Sequence, residues 1–319
     1  MKLVIQIPCF NEEETLPVTI NDLPKKIEGI DEIEILVIDD GSEDNTVKTA
    51  YESGAAKVVE LQTHRGLAKA FKTGLDAALE MDADIIVNTD ADNQYCANDI
   101  EKLIKPILDK KADIVIGSRP VSKIKHFSIL KKFLQKFGSF AVRMLSSTKV
   151  EDAPSGFRAF SRTAAMQLNV FDKYTYTLET IIQAYAKGLK IECVDINVNS
   201  VLRESRLFKN MFTYINHSIV TMMRMFIVYR PFRFFAILGS IALTLGIILG
   251  LRFVYYYMIG GGTGHIQSLI LASIFILAGV QLGIFAALAE IVSINRKLLE
   301  DIQYKLKSEQ LQKNSYDLK

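Results

Sequence analysis

The sequence predicts an α/β protein: a mainly parallel, Rossmann-like sheet with helices on both faces, followed by an interfacial helix and two transmembrane helices. Short apolar runs alternate with helical stretches over the first half of the chain, a rhythm typical of parallel βαβ units. Hydrophobic residues form 49% of the 319 residues and concentrate in the second half. The expected boundaries are 1–208 for the sheet domain, 209–230 for the interfacial helix, 231–292 for the membrane hairpin and 293–319 for a C-terminal helix.

The predicted strands are short segments rich in Ile and Val, at 2–7, 32–39, 57–61, 84–88 and 113–117. Helices are predicted from Asn11, after Asp44, from Leu67 to Leu79 and from Asn98. Because parallel strands run in the same direction, the loops that follow them should meet at one edge of the sheet.

The composition and motifs argue against several classes of protein. The net charge of +2, without an aromatic and basic stripe, gives no indication of nucleic-acid binding. No glycine-rich dinucleotide motif or P-loop lysine motif follows a predicted strand, which argues against a dinucleotide oxidoreductase or an NTPase. The three cysteines are isolated and lack metal-ligand spacing, as expected for reduced thiols on the cytosolic side.

Two aspartates follow the fourth predicted strand. Asp90 and Asp92 are separated by one alanine, and Gln94 comes two residues later. Oxygen ligands of this kind suit a hard divalent cation. An ordinary turn at a strand end is the alternative, because Asp and Asn are favoured there.

Polar and acidic residues also follow the first two strands. The first loop carries Pro8, Asn11 and Glu13, and the second carries Asp39 and Asp40. Together with the aspartates of the fourth loop, these residues would place several carboxylates on one rim, where two unit charges about 4 Å apart repel by ~4 kcal/mol. We therefore expect a cation or a cationic partner among them.

The second half of the chain has the pattern of a membrane-associated region. Residues 211–229 are apolar and Met-rich but include Asn216, His217 and Arg224, which favours a helix at the membrane interface, with a buried core helix as the alternative. Residues 234–251 and 268–289 carry no charge. As helices they would reach about 27 and 33 Å, long enough to cross a bilayer.

The basic residues around these spans predict their orientation. The connection 254–267 contains no Lys or Arg, and Arg252 is the one basic residue beside it. The other flanks carry Arg224, Arg230, Arg233, Arg296, Lys297, Lys305 and Lys307. By the positive-inside rule, the sheet domain and the C-terminus are expected on the cytosolic face.

An apolar series continues beyond the second span. It consists of Ile294, Leu298, Ile302 and Leu306. This spacing predicts a cytosolic helix that packs either on the sheet domain or on another copy of the chain, which would make a homo-oligomer.

The motifs together resemble those of a known family. They are IPCFNEE at 7–13, DDGS at 39–42 and TDADNQ at 89–94, followed by IGSR at 116–119, EDAPSGFRAF at 151–160 and ESRL at 204–207. In this order they resemble glycosyltransferase family 2 enzymes with a GT-A fold. Within that family they resemble the polyprenyl-phosphate sugar transferases, which include the dolichyl-phosphate mannose and glucose synthases.

The resemblance implies a membrane-bound, inverting glycosyltransferase. Such an enzyme moves a hexose, for example mannose, glucose or N-acetylhexosamine, from a GDP- or UDP-sugar to dolichyl or undecaprenyl phosphate on the cytosolic face. The residues implied for the donor nucleotide sugar are Pro8, Asn11, Glu13, Asp39, Asp40 and Asp90. Those implied for Mg²⁺ or Mn²⁺ are Asp90, Asp92 and Gln94. Those implied for the acceptor phosphate are Arg119, Ser155, Arg158, Arg203, Ser205 and Arg206. The catalytic set is Asp90, Asp92 and Arg119.

Two segments depart from the pattern of the family. Residues 203–206 read Arg-Glu-Ser-Arg where many relatives have Gly-x-Ser-Lys, and Lys131, Lys132 and Gln135 stand where relatives place Arg or Lys and a Ser. These departures leave the identity of the sugar and the lipid open.

The basic residues also have structural alternatives. Arg119 is expected either at the acceptor phosphate or in an ion pair with the acidic rim, and Arg158 either at the phosphate or buried inside its loop. Residues 203–206 either clamp an anionic head group or form a positive segment beside the membrane.

The chemistry that the resemblance implies needs no general base. The second pKa of a phosphate monoester is about 6, so the acceptor is mostly a nucleophilic dianion near neutral pH.

Two alternative functions remain. A processive polysaccharide synthase of the same superfamily would use a Gln-x-x-Arg-Trp motif, which a chain without Trp lacks. A catalytically silent membrane scaffold is disfavoured by the intact Asp90, Asp92 and Gln94.

Overall fold

The computed structural model of the protein describes residues 1–119, 150, 152–170, 176–199, 220, 223–224, 226–260 and 262–317. The strands are β1 Lys2–Cys9, β2 Glu32–Asp39, β3 Lys57–Glu60, β4 Ile85–Asn88, β5 Ile114–Ser118, β6 Arg158–Ser161 and β7 Ile191–Asp195. The α-helices are α1 Leu16–Asp22, α2 Thr46–Glu52, α3 Leu67–Glu80, α4 Ile100–Leu108, α5 Arg162–Gln167, α6 Thr177–Ala186, α7 Pro231–Met258 and α8 Ile266–Asp317.

The strands form one seven-stranded sheet in the order β3-β2-β1-β4-β6-β5-β7. β6 pairs antiparallel with both β4 and β5, and the other pairings are parallel. The predicted mainly parallel α/β sheet is therefore confirmed. The five predicted strands are present, whereas β6 and β7 are additions that the alternation of segments did not reveal.

Apolar side chains alternate between the two faces of the sheet. On β1, Ile5 and Ile7 belong to one buried cluster, and Val4 belongs to the other, with Phe71 and Leu75 of α3. Alternation of this kind follows from the period of two in a strand. Because both faces are covered by helices, the central strands read as almost continuous apolar runs.

The chain divides into two compact units, Met1–Met222 with Gln303–Lys319, and Met223–Ile302. The second unit contains α7 and most of α8, which include the two uncharged segments 234–251 and 268–289. Both helices are long and apolar enough to cross a membrane. Their large apolar side chains are mostly exposed, as in Ile247 at 53% and Leu251 at 64%, which is unusual unless another apolar phase covers them.

Small residues bring α7 and α8 close together. A Cβ atom on Gly246 would lie 2.9 Å from the backbone N of Ile276. A Cβ atom on Gly279 would lie equally close, at 2.9 Å, to the backbone N of Leu243. Close backbone approach through glycine is typical of helix pairs in membranes.

The last part of α8 packs on the sheet domain, one of the two predicted partners. Gln303 Oε1 accepts a hydrogen bond from Asn169 Nδ2 at 3.0 Å, and Lys307 pairs with Asp76 of α3. Leu311 is 7% exposed and joins the cluster around α3. These three positions are four residues apart and so share one helix face. The apolar series predicted for this contact, Ile294, Leu298, Ile302 and Leu306, lies on exposed surface.

Helix α8 continues without a break through residues 292 and 293, where a boundary between the membrane hairpin and the C-terminal helix was expected. Several other predicted features lie outside the described residues. They are most of the predicted interfacial helix, the segment with Lys131, Lys132 and Gln135, and the acceptor residues Arg203, Ser205 and Arg206.

Candidate functional site

Three neighbouring strands bring the predicted polar loops to one edge of the sheet. β2, β1 and β4 are adjacent and parallel, and they end at Asp39, Cys9 and Asn88. In register, Cys9 pairs with Asp39, and Gln6 pairs with Asn88. The loops that follow these strands, residues 10–15, 40–45 and 89–96, therefore share one edge. We call them the acidic rim.

The first two loops of the rim are tied to each other by hydrogen bonds. Asn11, at a φ of 55°, donates its backbone N–H to Ser42 Oγ and accepts from the N–H of Glu43, both at 2.8 Å. Glu13 Oε2 accepts from the N–H of Asn45 at 2.9 Å. Asn11 and Glu13 thus fix the relative position of the two loops. Contact of these side chains, and of the buried Pro8, with a nucleotide stays a prediction.

Asp40 supports a neighbouring loop. Its side chain is buried, and its two oxygens accept from the backbone N–H groups of Arg65 and Gly66, both at 2.8 Å. His64 Nδ1 lies 2.9 Å from the same carboxylate, and the His64 ring packs on Phe10 with 4.0 Å between centroids. Asp40 therefore joins the end of β2 to the loop before α3. A direct contact between Asp40 and a nucleotide also stays a prediction.

Asp39 differs from Asp40 because one of its oxygens has no partner. The side chain is only 3% exposed, and Oδ2 accepts from the N–H of Ser42 at 3.0 Å. Among the described residues, Oδ1 has no hydrogen-bond partner. An unpaired buried acceptor costs about 1 to 3 kcal/mol. Oδ1 is thus suited to accept a hydrogen bond from a ligand.

Asp90 and Asp92 lie in the loop after β4, and both are partly exposed. Asp92 Oδ1 accepts from the N–H of Gln94 at 3.2 Å. Asn93 shapes the turn with a φ of 52° and a hydrogen bond of 2.7 Å to Asp22. In the part of the chain that the structure describes, no three His, Cys, Asp or Glu side chains converge as a metal site. A cation here would also need oxygen ligands from a bound molecule or from water.

A loop formed by residues 152–158 approaches the acidic rim at Gly156. A Cβ atom on Gly156 would lie 3.1 Å from Oδ1 and 3.2 Å from Oδ2 of Asp90, so glycine allows the backbone to lie against this carboxylate. Ser155 is fully buried beside it, and its Oγ has no hydrogen-bond partner among the described residues. The 152–158 loop and the rim thus meet at Asp90.

Arg158 holds the 152–158 loop from within. Its side chain is fully buried, and burial lowers its pKa. The guanidinium donates to the carbonyls of Ser155, Ala153 and Thr177 at 2.8, 2.6 and 2.8 Å, and to Thr180 Oγ1 at 2.7 Å. Arg158 was expected either to contact the phosphate or to be buried inside its loop. This geometry favours the second role, because each nitrogen of the guanidinium already donates to a partner in the protein.

Arg119 also has a partner within the protein. It forms a two-pronged ion pair with Asp152, through Nε to Oδ2 at 2.7 Å and a terminal nitrogen to Oδ1 at 3.1 Å. The Arg119 side chain is 10% exposed and that of Asp152 is 1% exposed. Arg119 is therefore in an ion pair, but its partner is Asp152 and not the acidic rim that the alternative named. A phosphate contact by Arg119 stays a prediction.

Sequence reasoning missed several residues of this site. Asp152, Tyr95, Tyr176 and Asn88 all contact the 152–158 loop or its arginines. Asn88 ends β4 directly before the TDADNQ motif, and Asp152 lies inside the EDAPSGFRAF motif, so both positions could have been considered from the sequence. Tyr176 lies far from Asn88 in sequence, and only the tertiary structure reveals their contact.

The comparisons with known proteins agree with this geometry. Residues 4–168 match the family model described as glycosyl transferase family 2. The chain belongs to glycosyl transferase family 2. The matched residues include the whole acidic rim and the 152–158 loop, so the candidate site lies within the family region.

Relatives named for polyprenyl-phosphate sugar transfer share this region. The UDP-N-acetylglucosamine–dolichyl-phosphate N-acetylglucosaminyltransferase of Methanococcus voltae is 31% identical over 219 residues, covering 62% of this chain and 85% of the relative. The undecaprenyl-phosphate mannosyltransferase of Micrococcus luteus is 28% identical over 212 residues, covering 64% of this chain and 85% of the relative. With the family match, these relatives identify the protein as a glycosyltransferase, as predicted.

Solved structures of a mycobacterial synthase share the fold. Glucosyl-3-phosphoglycerate synthase from Mycobacterium tuberculosis, in complex with phosphoglyceric acid, superposes with a TM-score of 0.57 at 22% identity, over 70% of this chain and 79% of that one. Its complex with Mn²⁺, UDP and phosphoglyceric acid gives a TM-score of 0.55 at 20% identity, over 69% and 78%. These similarities confirm the predicted GT-A type of α/β fold.

Proposed function

We propose that the protein transfers a hexose from a GDP- or UDP-sugar to a polyprenyl phosphate at the cytosolic face of a membrane, with inversion at the anomeric carbon. The observation that carries the proposal is the contact of Gly156 with Asp90, because it joins the proposed donor rim and the proposed acceptor loop at one point. The names of the relatives supply the class of acceptor and two candidate donor sugars, N-acetylglucosamine and mannose.

The acidic rim fits a nucleoside diphosphate sugar. The buried Asp39 Oδ1 lacks a partner among the described residues, and both uracil and guanine have N–H groups that can donate to it. The neighbouring Asp40, Asn11 and Glu13 hold the surrounding loops in place. We assign these three residues mainly to the shape of the donor site, with Pro8 on the strand beneath it.

The rim also fits a divalent cation. Mg²⁺ is usually held by one or two carboxylates together with substrate phosphates, and less often by a complete protein cage. Asp90 and Asp92, with the Gln94 amide beside them, match that donor set, and glycine at position 156 keeps a Cβ atom away from the Asp90 carboxylate. When bound, Mg²⁺ or Mn²⁺ would neutralise the charge that develops on the departing diphosphate.

The chain's own residues position the two substrates. A lipid phosphate at the 152–158 loop would have the unpaired Ser155 Oγ as a hydrogen-bond donor and the Arg119–Asp152 pair beside it. A phosphate oxygen of the acceptor attacks the anomeric carbon while the bond from that carbon to the diphosphate oxygen breaks. The leaving nucleoside diphosphate takes the electron pair. Because the acceptor is already a dianion, no protein group has to remove a proton.

The second unit of the chain supports a membrane-bound acceptor. Two helices of sufficient length carry exposed apolar surface, which suits contact with lipid. The short connection between them lacks Lys and Arg, whereas basic residues stand at the other ends. By the positive-inside rule, this distribution supports the proposal that the sheet domain and the C-terminus are on the cytosolic face.

A substrate panel tests the proposal. Purified full-length protein in detergent is supplied with Mg²⁺, a short polyprenyl phosphate and one GDP- or UDP-sugar at a time, and the lipid product is identified by mass spectrometry. The expected result is a polyprenyl-phosphate hexose with one donor and release of the matching nucleoside diphosphate. Transfer to a water-soluble acceptor in place of the lipid would contradict the proposed acceptor.

The cation gives a separate prediction. Asp92→Asn should lower the rate of transfer by at least about a hundredfold, because it removes a carboxylate from the proposed cation site. The variant should fold normally, since Asp92 is partly exposed and its one described hydrogen bond is local. EDTA should stop the wild-type reaction and Mn²⁺ should restore it. Full turnover in excess chelator would disprove the cation assignment. Glu101→Gln, an exposed change outside the rim, is the matched control.

A further inference from the structure

Three buried side chains bind the backbone of Gly156, the residue that lies against Asp90. The Tyr95 hydroxyl accepts a hydrogen bond from the N–H of Gly156 at 3.1 Å. Asn88 Nδ2 donates to the Gly156 carbonyl at 2.9 Å, and the Tyr176 hydroxyl donates to the same oxygen at 3.3 Å. Both backbone polar groups of Gly156 are thus held by side chains from other parts of the fold.

These side chains are themselves held in place. Asn88 is fully buried, accepts from Gln6 Nε2 at 2.9 Å and donates to the Tyr176 hydroxyl at 2.9 Å. The ring of Tyr176 stacks on Phe71 with 3.7 Å between centroids. The ring of Tyr95 stacks on a phenylalanine of the 152–158 loop at 5.0 Å. Fixed rings and amides of this kind give the hydrogen bonds to Gly156 little freedom to move.

The position of Gly156 matters because of the carboxylate beside it. Oδ1 and Oδ2 of Asp90 would lie 3.1 and 3.2 Å from a Cβ atom at this residue, and the Tyr176 hydroxyl would lie 3.1 Å from the same atom. A shift of the backbone by a few tenths of an ångström would therefore change the room that Asp90 has to rotate. Groups that orient a metal ligand typically change metal affinity tenfold or more when they are removed.

We propose that Asn88, Tyr95 and Tyr176 are positioning residues for the cation–diphosphate site: they hold Gly156 against Asp90 and so fix the direction of the Asp90 carboxylate. This inference rests on the proposed function. In this proposal the three side chains affect cation binding indirectly, through Gly156 and Asp90. None of them contacts the cation or the substrate.

Tyr95→Phe and Tyr176→Phe test the proposal, because each keeps the stacked ring and removes only the hydroxyl. Tyr51→Phe, at an exposed site on α2, is the matched control. Calorimetry on the full chain in detergent measures Mn²⁺ binding in the presence of UDP or GDP, and nucleotide binding without cation. We expect each of the first two changes to weaken Mn²⁺ binding about threefold to tenfold, at the low end for such groups, because each removes only one of the hydrogen bonds that hold Gly156. Nucleotide binding without cation should stay as in the wild type.

A third variant tests the same contact without removing a hydrogen bond. Gly156→Ala keeps all three positioning side chains but places a methyl group against Asp90, so it should also weaken Mn²⁺ binding. Wild-type Mn²⁺ affinity in the two Phe variants or in Gly156→Ala would overturn the positioning role. Equal losses of nucleotide binding with and without cation would overturn it as well, because a purely structural defect acts on both.

Failure of the proposed function gives a different result. In that case the wild-type protein would show neither cation-dependent nucleotide binding nor sugar transfer to lipid. Cation-dependent binding in the wild type, with unchanged affinity in the Phe variants, would reject only the positioning role. The control Tyr51→Phe should match the wild type in every measurement.

Discussion

In the acidic rim, carboxylates accept hydrogen bonds from backbone N–H groups, whereas in the 152–158 loop a buried guanidinium donates to backbone carbonyls. Asp40 illustrates the first arrangement through Arg65 and Gly66. Arg158 illustrates the second through Ala153 and Ser155. The two regions meet at Asp90, but their shapes are held by groups of opposite charge.

The two regions also differ in how many residues hold them in shape. The rim spreads its hydrogen bonds over several partly exposed residues, including Asn11 and Glu13. The loop depends on two arginines that are almost entirely buried. One buried oxygen at each region nevertheless has no partner among the described residues. They are Oδ1 of Asp39, which ends β2 directly before the rim, and Oγ of Ser155 in the loop. Most polar residues of the motifs therefore build the site, and few atoms remain free to bind substrate.

The largest effect is expected from Arg158→Met. It would remove the buried guanidinium that donates to three backbone carbonyls and to Thr180 Oγ1, and the cost should be about 3 to 5 kcal/mol of stability. We expect a large fall in the thermal unfolding midpoint of the full chain in detergent, together with loss of transfer. Arg162→Met is the control, because Arg162 is 29% exposed and its ion pair should contribute less than about 1 kcal/mol. Equal stability of the two variants would show that the loop does not depend on its guanidinium.

The ion pair of Arg119 gives an effect of intermediate size. Arg119→Met leaves a buried carboxylate at Asp152 without this partner, which should cost about 3 kcal/mol. The double variant Arg119→Met with Asp152→Leu replaces both charges by apolar groups and should regain most of that stability. If Arg119 also contacts the acceptor phosphate, transfer by the double variant should stay about tenfold to a hundredfold below wild type.

The two measurements separate the roles of Arg119. Stability is followed by thermal unfolding, and acceptor use by the dependence of the initial rate on polyprenyl phosphate. A stable double variant with wild-type dependence on the lipid would mean that Arg119 only supports the loop. Nucleotide affinity should change little in either variant, because Arg119 pairs with Asp152 in the loop proposed for the acceptor and not with the residues proposed for the nucleotide.

The sequence predicted strands β1 to β5, because each of them is a local apolar run. Strand β7, with the sequence IECVD, also pairs in parallel but was missed because polar residues interrupt it. β6 was missed because its segment, RAFS, is not an apolar run and its antiparallel pairing with β4 and β5 is a long-range contact. The two apolar helices were predicted for the same reason as the strands: composition over a single segment decides them. Features decided by one segment could be predicted, and features decided by two distant segments could not.

The C-terminal helix and the site follow the same rule. The apolar residues Ile302 and Leu306 suggested one packing face, but Gln303, Lys307 and Leu311 form the contact because Asp76 and Asn169 offer polar partners there. In the site, the motifs identified the rim and the loop. They did not reveal which oxygens stay unpaired, because this depends on hydrogen bonds between loops that are far apart in sequence.

The smallest effects should separate Asp39 from its neighbour Asp40. Asp39→Ala removes the unpaired Oδ1, so it should weaken nucleotide binding about tenfold to a hundredfold, as expected for a charge-assisted hydrogen bond. Its effect on stability should be small, because only the hydrogen bond from Ser42 is lost.

Asp40→Ala releases the N–H groups of Arg65 and Gly66 and should cost about 1 to 3 kcal/mol of stability. It should weaken nucleotide binding less than Asp39→Ala, because its effect reaches the nucleotide through a displaced loop. Calorimetric titration of UDP and GDP, beside thermal unfolding of the same samples, measures both quantities. The reverse order of nucleotide affinities would make Asp40 the direct ligand and leave the unpaired oxygen of Asp39 without a function in donor binding.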